Sequence, residues 1–186
     1  MESRPLRKLF SVRPVKGPGA PGHSRPARGN GMDAAIYECP MEWARFLPPG
    51  ARQVQRPGEL AEHIWPLLAL TPEGCQALAE HPAGEIICRL LLAPGDLPAL
   101  SAQVRAETVV SYGLSPRDSL TLSSREGDTL WAALQRELVT VDGQVVERQE
   151  FPLRLEPGAG ELPSLAAAGA LLLLGVPPEE LGRPGG

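Results

Sequence analysis

Short apolar runs separated by glycine and proline dominate the pattern of this chain. Three of the runs are apolar at nearly every position, as expected of strands that are buried on both faces of a sheet. They predict strands at residues 32–39, 85–92 and 108–112. Between them, apolar residues recur every three or four positions and predict helices at residues 58–70, which Pro66 limits to two short pieces, and at 71–80 and 97–105. Strands and helices that alternate at this spacing predict a parallel sheet with crossover helices.

The pattern changes after Pro116. The following segments predict antiparallel strands at residues 119–123, 130–141 and 144–155. Asp142-Gly143 is a strong signal for a two-residue hairpin turn between the last two strands. Residues 162–174 are rich in Ala and Leu and predict a helix that ends at Gly175. The predicted fold class is therefore α/β, a small parallel sheet with crossover helices plus an antiparallel β-hairpin element and a C-terminal helix.

Composition narrows this picture to one globular domain with short elements. The chain has 186 residues, of which 42% are hydrophobic, and it contains 20 Gly and 21 Pro. We expect a domain at residues 32–181, with a flexible Pro/Gly-rich segment before it at 1–31 and a tail at 182–186. The longest apolar run, residues 165–174, is far shorter than the ~20 residues that span a bilayer. Because no secretory signal is recognised either, we predict a cytoplasmic protein without a membrane span.

Charge is distributed unevenly between the N-terminal segment and the rest of the chain. Residues 1–31 contain seven Lys or Arg and one acid, a net charge of +6 in a chain whose total is −4. A basic segment can contact nucleic acid or anionic lipid. However, this one has few aromatic residues for base stacking and its charges are separated by Pro and Gly. A solvated arm is favoured, so nucleic acid is not expected as a partner and a protein partner stays possible.

The cysteines predict neither a disulfide framework nor a metal centre. The chain has three, Cys39, Cys75 and Cys88, and none lies in C-x-x-C spacing. Cys39 and Cys88 fall in apolar runs, where a reduced cysteine behaves as a small hydrophobic residue. A zinc site formed by Cys75, His81 and Cys88 is conceivable but disfavoured.

One segment of the N-terminal region has the spacing of a phosphate-binding P-loop. Residues 17–24 have the sequence G-P-G-A-P-G-H-S, after a predicted strand at residues 9–15. The positions of the motif are held by Gly17, Gly22, His23 and Ser24. His23 stands where the motif has a lysine, and Pro18 and Pro21 each remove a backbone N–H from the phosphate cradle. The segment is either a degenerate P-loop or a chance spacing in a Pro/Gly-rich region.

The order of several motifs resembles the central ATP-binding domain of the Mur ligase family, which adds amino acids to peptidoglycan precursors. Residues 109–115, V-V-S-Y-G-L-S, are similar to the family's V-I-T-Y-G strand and turn. Residues 165–181, L-A-A-A-G-A-L-L-L-L-G-V-P-P-E-E-L, resemble a helix of the family that ends in L-G-V-P-P-E-x-I. Residues 33–39 are similar to its strand D-x-A-V-x-E-x. The resemblance implies that Glu38 and Ser24 would hold Mg²⁺ and that the P-loop positions would hold ATP.

The departures from the family are severe, because His23 replaces the P-loop lysine and Leu92-Ala93-Pro94-Gly95-Asp96 stands where the family has N-A-D-D. The family's C-terminal domain is also not expected, since the sequence ends at Gly186. Three hypotheses follow. The first is a degenerate, non-catalytic binding module connected with cell-wall precursor metabolism, without a cofactor. The second is residual ATP-dependent and Mg²⁺-dependent amide-bond ligation that uses Ser24 and Glu38. The third is an unrelated small α/β interaction protein.

Overall fold

The computed structural model describes residues 34–38, 51–96, 103–127, 129–154 and 160–182. The strands are β1 (Ala34–Tyr37), β2 (Ala51–Val54), β3 (Ile64–Leu70), β4 (Ile86–Pro94), β5 (Val104–Gly113), β6 (Leu120–Glu126), β7 (Thr129–Leu134), β8 (Leu138–Val139), β9 (Val145–Val146) and β10 (Glu150–Arg154). The helices are α1 (Pro57–Ala61), α2 (Pro72–Glu80) and α3 (Glu161–Leu173), with a 3₁₀ turn at Pro178–Glu180.

Eight of these strands form one mixed sheet in the order β10-β7-β6-β5-β4-β3-β1-β2. The neighbours from β2 to β6 are parallel, whereas β7 and β10 are antiparallel to their neighbours. Strands β8 and β9 form a separate two-stranded sheet. The predicted α/β class is confirmed: a mostly parallel sheet, an antiparallel hairpin and a C-terminal helix. β4 and β5 are parallel neighbours, as a Mur-like sheet requires, but unrelated parallel sheets share this pairing.

The centre of the parallel part of the sheet, at β1 and most of β3, is buried on both faces, which explains the apolar runs there. In β1, Ala34 and Ile36 face a first core that α3 covers. Ala35 and Tyr37 alternate with them and face a second core that contains Leu60 of α1 and Leu78 of α2. All of these side chains are buried. Strands β1, β3, β4 and β5 each contribute buried residues to both cores, whereas β6 contributes only to the first.

The N-terminus of α2 and the C-terminus of α3 lie where the sequence predicts them. Thr71 is the N-cap of α2, and its hydroxyl oxygen accepts a hydrogen bond from the Gly74 N–H at 2.9 Å. At the other end of the chain, Gly175 has a φ of 90° and follows the last residues of α3. Its N–H donates to the Leu172 carbonyl, and the Val176 N–H donates to the Leu171 carbonyl, both at 3.0 Å. This is a Schellman ending, so the predicted helices at 71–80 and 162–174 are confirmed within one residue.

The prediction of a helix over residues 58–70 is wrong beyond its first turn. Only Pro57–Ala61 is helical, and Ile64–Leu70 is strand β3. A strand that is buried on both faces also places apolar residues at the helical spacing, so the pattern did not distinguish the two. Pro66 is tolerated because the pairing with β1 starts at Leu67, and because no pair with β4 involves Pro66.

Two other predicted segments are corrected in part. Residues 103–105 do not belong to a helix, since β5 already begins at Val104; residues 97–102 lie outside the described part of the chain. The strand predicted at 119–123 is β6, and it is antiparallel only to β7. Next to β5 it is parallel, through the pairs Tyr112–Leu120 and Gly113–Thr121.

The two long antiparallel strands predicted at 130–141 and 144–155 are each divided. Their outer parts pair as β7 and β10, and their inner parts pair as β8 and β9. The turn at Asp142-Gly143 is confirmed in position, but it is a three-residue loop. The Gly143 N–H donates to the Thr140 carbonyl at 3.0 Å, and Gly143 has a φ of 87°. The break between the pairs divides the predicted hairpin into a base, β7 and β10, and a separate tip, β8 and β9.

The predicted strand at 9–15, the segment 1–31, and residues 183–186 of the tail lie outside the described residues. Within the residues that are described, no helix is both long enough and apolar enough to cross a membrane.

Candidate functional site

The strand order places a topological switch point at the carboxyl ends of β1 and β3. From β1 the chain moves to β2 on one side and then returns to β3 on the other, which gives the partial order β2-β1-β3-β4-β5. In doubly wound sheets of this order, ligands bind outside the carboxyl ends of the strands at the switch point. Glu38 directly follows β1, and Thr71 directly follows β3. These two residues therefore mark the candidate site.

Glu38 has an unusual backbone conformation at this point. Its φ of 53° lies in the left-handed region, which costs a residue other than glycine about 1–3 kcal/mol. The conformation is held from two sides: the Glu38 N–H donates to the Val54 carbonyl at 3.3 Å, and the Thr71 hydroxyl donates to the Glu38 carbonyl at 3.1 Å. The side chain is half-buried. The contacts with β2 and with the N-cap of α2 thus fix the backbone from which the Glu38 side chain extends.

The first turn of α2 lies next to Glu38, and the N–H groups of two of its residues already donate inside the protein. Pro72 has no N–H, the Gly74 N–H donates to the Thr71 hydroxyl, and the Cys75 N–H donates to the Thr71 carbonyl. Gly74 also packs closely on β1, because a Cβ at this position would lie 2.8 Å from the Tyr37 carbonyl oxygen. A phosphate at a helix N-terminus needs N–H groups that point at it. At this helix start, Pro72, Gly74 and Cys75 have no N–H available to bind a phosphate.

Tyr112 stabilises the end of β3 next to this site. Its hydroxyl donates to the Leu70 carbonyl at 2.9 Å, across the intervening strand β4, and the side chain is fully buried. Burial raises the pKa of the Tyr112 phenol, and the nearby Cys75, Glu73 and Asp96 raise it further. The phenol is therefore a neutral donor that holds the end of β3 in place.

Asp118 lies at the carboxyl ends of β4 and β5, and sequence reasoning missed it. It is 6% exposed, and its carboxylate accepts a hydrogen bond from the Ser115 N–H at 3.2 Å. The carboxylate fills the space that side chains at Gly95 and Gly113 would occupy. The only available signal was the pair of glycines that end two neighbouring strands, followed closely by an acid. Asp118 thereby joins two loops of the carboxyl edge.

The described part of this edge carries more carboxylates than arginines. Arg117 follows β5, Arg136 lies against the Arg117 carbonyl, and Arg56, which follows β2, is already paired with Glu59. Glu73 and Asp96 are exposed, Glu38 is half-buried and Asp118 is buried. These carboxylates disfavour an uncompensated triphosphate and favour a group of positive charge. Nevertheless, no group of three or more His, Cys, Asp or Glu side chains in the described ranges is arranged to hold a metal ion.

The structure describes only part of the predicted site. Gly17, Gly22, His23 and Ser24 lie outside the described residues, so it does not bring them together with Glu38. Glu38 directly follows β1. Cys75 and Cys88 are buried and reduced, and burial raises the pKa of each thiol to about 12. Cys39 is outside the described part as well.

Comparison with known proteins finds no matching family model, no matching curated protein and no matching solved structure.

Proposed function

We propose that this chain is a degenerate Mur-ligase-like protein that does not catalyse ligation and serves as a binding module connected with cell-wall precursor metabolism. Its binding face is the carboxyl edge of the parallel sheet around Glu38. The connection with the Mur ligases rests on the resemblance of residues 33–39, 109–115 and 165–181 to motifs of that family.

The observation that carries the non-catalytic part is the chemistry of the carboxyl edge. Catalysis of phosphoryl transfer depends on positioning and on neutralising the charge of the phosphates. Here His23 takes the place of the P-loop lysine, and the described edge presents Glu38, Glu73 and Asp96. The N–H groups of Gly74 and Cys75 are used inside the protein. Such an edge suits a cationic group of a partner better than a triphosphate.

A thermal-unfolding titration with Mg-ATP tests this. A ligand at 100 times its dissociation constant adds about 2.7 kcal/mol to the free energy of unfolding. For a protein of this size, 1 kcal/mol moves the melting temperature by about 2–4 °C. We expect no change in melting temperature at millimolar Mg-ATP, compared with MgCl₂ alone.

The variant Glu38→Gln shows whether any stabilisation by Mg-ATP involves this residue, because it removes the charge of the carboxylate and keeps the shape of the side chain. A stabilisation by Mg-ATP that Glu38→Gln abolishes would overturn the proposal in favour of residual ligase chemistry. The matched control is Glu62→Gln, an exposed residue between α1 and β3 at the opposite edge of the sheet. It should leave any such effect unchanged.

The cell-wall connection is tested separately by calorimetric titration with peptidoglycan precursor peptides that carry a free amine. We expect binding that Glu38→Gln weakens and Glu62→Gln does not. Absence of binding would leave the third hypothesis, an unrelated interaction protein, as the better account.

A further inference from the structure

We propose that the tip hairpin, residues 138–146, is a strap that closes over the C-terminal end of α3 and opens as one unit while the main sheet stays folded. This inference does not depend on the proposed function. It rests on how the tip is hinged to β7 and β10 and on how it is fastened to α3 and β4.

The hinge lies where the ladder between β7 and β10 is interrupted. Pairing runs up to Ala133 and Glu150, stops, and resumes only at Leu138 and Val146. Four residues of the interruption, 136–137 and 147–148, are exposed. The base before them is fixed, because the Leu134 N–H donates to the Gln149 carbonyl and the Gln135 N–H donates to the Ser119 carbonyl, both at 2.9 Å. Both arms of the hairpin therefore start from an anchored base and reach the tip through an exposed stretch without strand pairing.

Two hydrogen bonds within the described residues fasten the tip to the body. The Val141 N–H donates to the Leu173 carbonyl in the last turn of α3 at 2.8 Å. The Arg89 guanidinium, on β4, donates to the Val141 carbonyl. Both bonds converge on one residue of the tip loop. The Leu173 carbonyl is not among those that the Schellman ending satisfies, so the closed strap completes the helix end and an open strap would leave it to water.

Packing of the tip is one-sided. Leu138 is 3% exposed and lies in the first core, where Val146 packs beside it. On the other face, Val139 and Val145 oppose each other at 49% and 59% exposure. A two-stranded hairpin is marginal by itself in water. A tip with two residue pairs must therefore depend on Leu138 and on the contacts of Val141, and loss of these contacts would release it as a unit.

Native-state hydrogen exchange of the full chain, followed by NMR, tests this. The reporters are the amides of Thr140, Val141 and Gln144, which donate to the Gln144 carbonyl, the Leu173 carbonyl and the Thr140 hydroxyl. We expect these amides to be protected, but to exchange together and faster than the amides of β4 and β5. Arg89→Ala should raise their exchange rates about tenfold, because it removes a hydrogen bond from a charged donor, and should leave β4 and β5 unchanged.

The control is Arg105→Ala, which removes an exposed arginine whose ion pair joins β5 to Glu85 and does not reach the tip. It should not change the exchange of the tip amides. The proposal is overturned if the tip exchanges only with global unfolding, if its amides are unprotected, or if Arg89→Ala leaves them unchanged. A rate increase that extends equally to β4 and β5 would also overturn it, because the hairpin would then not open separately.

Discussion

Three buried polar side chains tie the carboxyl ends of the parallel strands together. Thr71 bonds to the end of β1, Tyr112 to the end of β3, and Asp118 to the loop that follows β5. Each satisfies a backbone group that would otherwise be buried without a partner or left to water. Of the three, Thr71 contacts Glu38 directly, whereas Tyr112 and Asp118 stabilise the neighbouring strand ends.

The two buried cysteines predict a loss of stability at alkaline pH. Burial raises the pKa of the Cys75 and Cys88 thiols from 9.0 to about 12, with smaller contributions from Glu73 and Glu107 respectively. Between these values the folded protein keeps protons that the unfolded chain has lost. The contribution of each thiol is therefore fully present below pH 9 and is lost as the pH rises towards 12. At pH 10 we expect a loss of up to about 1.4 kcal/mol per thiol.

Urea unfolding at pH 7.5 and pH 10 measures this loss. The variant Cys75→Ala/Cys88→Ala should lose less stability between the two pH values than the parent protein does. Tyrosines remain in both proteins, so their titration cancels in the comparison. Equal losses in the two proteins would show that the thiols are already accessible to solvent.

Among the helices and strands, hydrophobic periodicity correctly predicted those segments whose pattern fits only one type of secondary structure. The helix at 162–174 has Ala and Leu over more than three turns and a glycine at its end, so nothing competes with it. Residues 64–70 have apolar residues that fit one face of a helix and both faces of a strand equally well. Only the sheet, which pairs them with β1 and β4, decides between the two.

The candidate site was predictable to a similar extent. Glu38 was singled out through the resemblance of residues 33–39 to a strand of the Mur family, and the structure places it directly after β1. Tyr112 and Asp118 were not found, because their partners, Leu70 and the glycines at 95 and 113, are brought to them by strand order. The interruption of the antiparallel ribbon was missed for the same reason. It depends on the contact between Val141 and α3, which is distant in sequence.

The seating of α2 on β1 predicts different effects for two helical glycines. Gly58 in α1 has no atom within 4 Å of where its Cβ would be, whereas the Cβ of an alanine at position 74 would lie 2.8 Å from the Tyr37 carbonyl oxygen. Backbone cannot easily give way there. We expect Gly74→Ala to lower the free energy of unfolding by about 1–3 kcal/mol. Gly58→Ala should be neutral or stabilise by up to about 1 kcal/mol, because alanine favours the helix.

Urea unfolding of both variants at neutral pH provides the measurement, with the parent protein as reference. The two glycines are matched, since each lies in the first turn of a helix that begins with proline. If Gly74→Ala were as stable as Gly58→Ala, α2 would not be seated against the end of β1 as described.

For the whole molecule, the sheet is the element that both cores share. Leu67 and Leu68 are neighbours in β3, yet the first lies in the core under α3 and the second in the core with α2. Neither core can lose its packing without exposing strands that the other needs. We therefore expect the two cores to unfold in one cooperative transition, as small single domains usually do.

Matched truncations on the two sides of the sheet test this cooperativity. Leu165 in α3 and Leu78 in α2 are both fully buried, so Leu165→Ala and Leu78→Ala should each cost about 2–5 kcal/mol. Far-UV circular dichroism reports the whole fold, and, in a Trp43→Phe/Trp131→Phe background that leaves Trp65 as the one tryptophan, fluorescence adds a local signal from the second core. For both variants the two signals should change at the same urea concentration, with the slope of the parent protein. If the fluorescence of Leu78→Ala changed at lower urea than its dichroism, the second core would unfold separately, and the sheet would not couple its two faces.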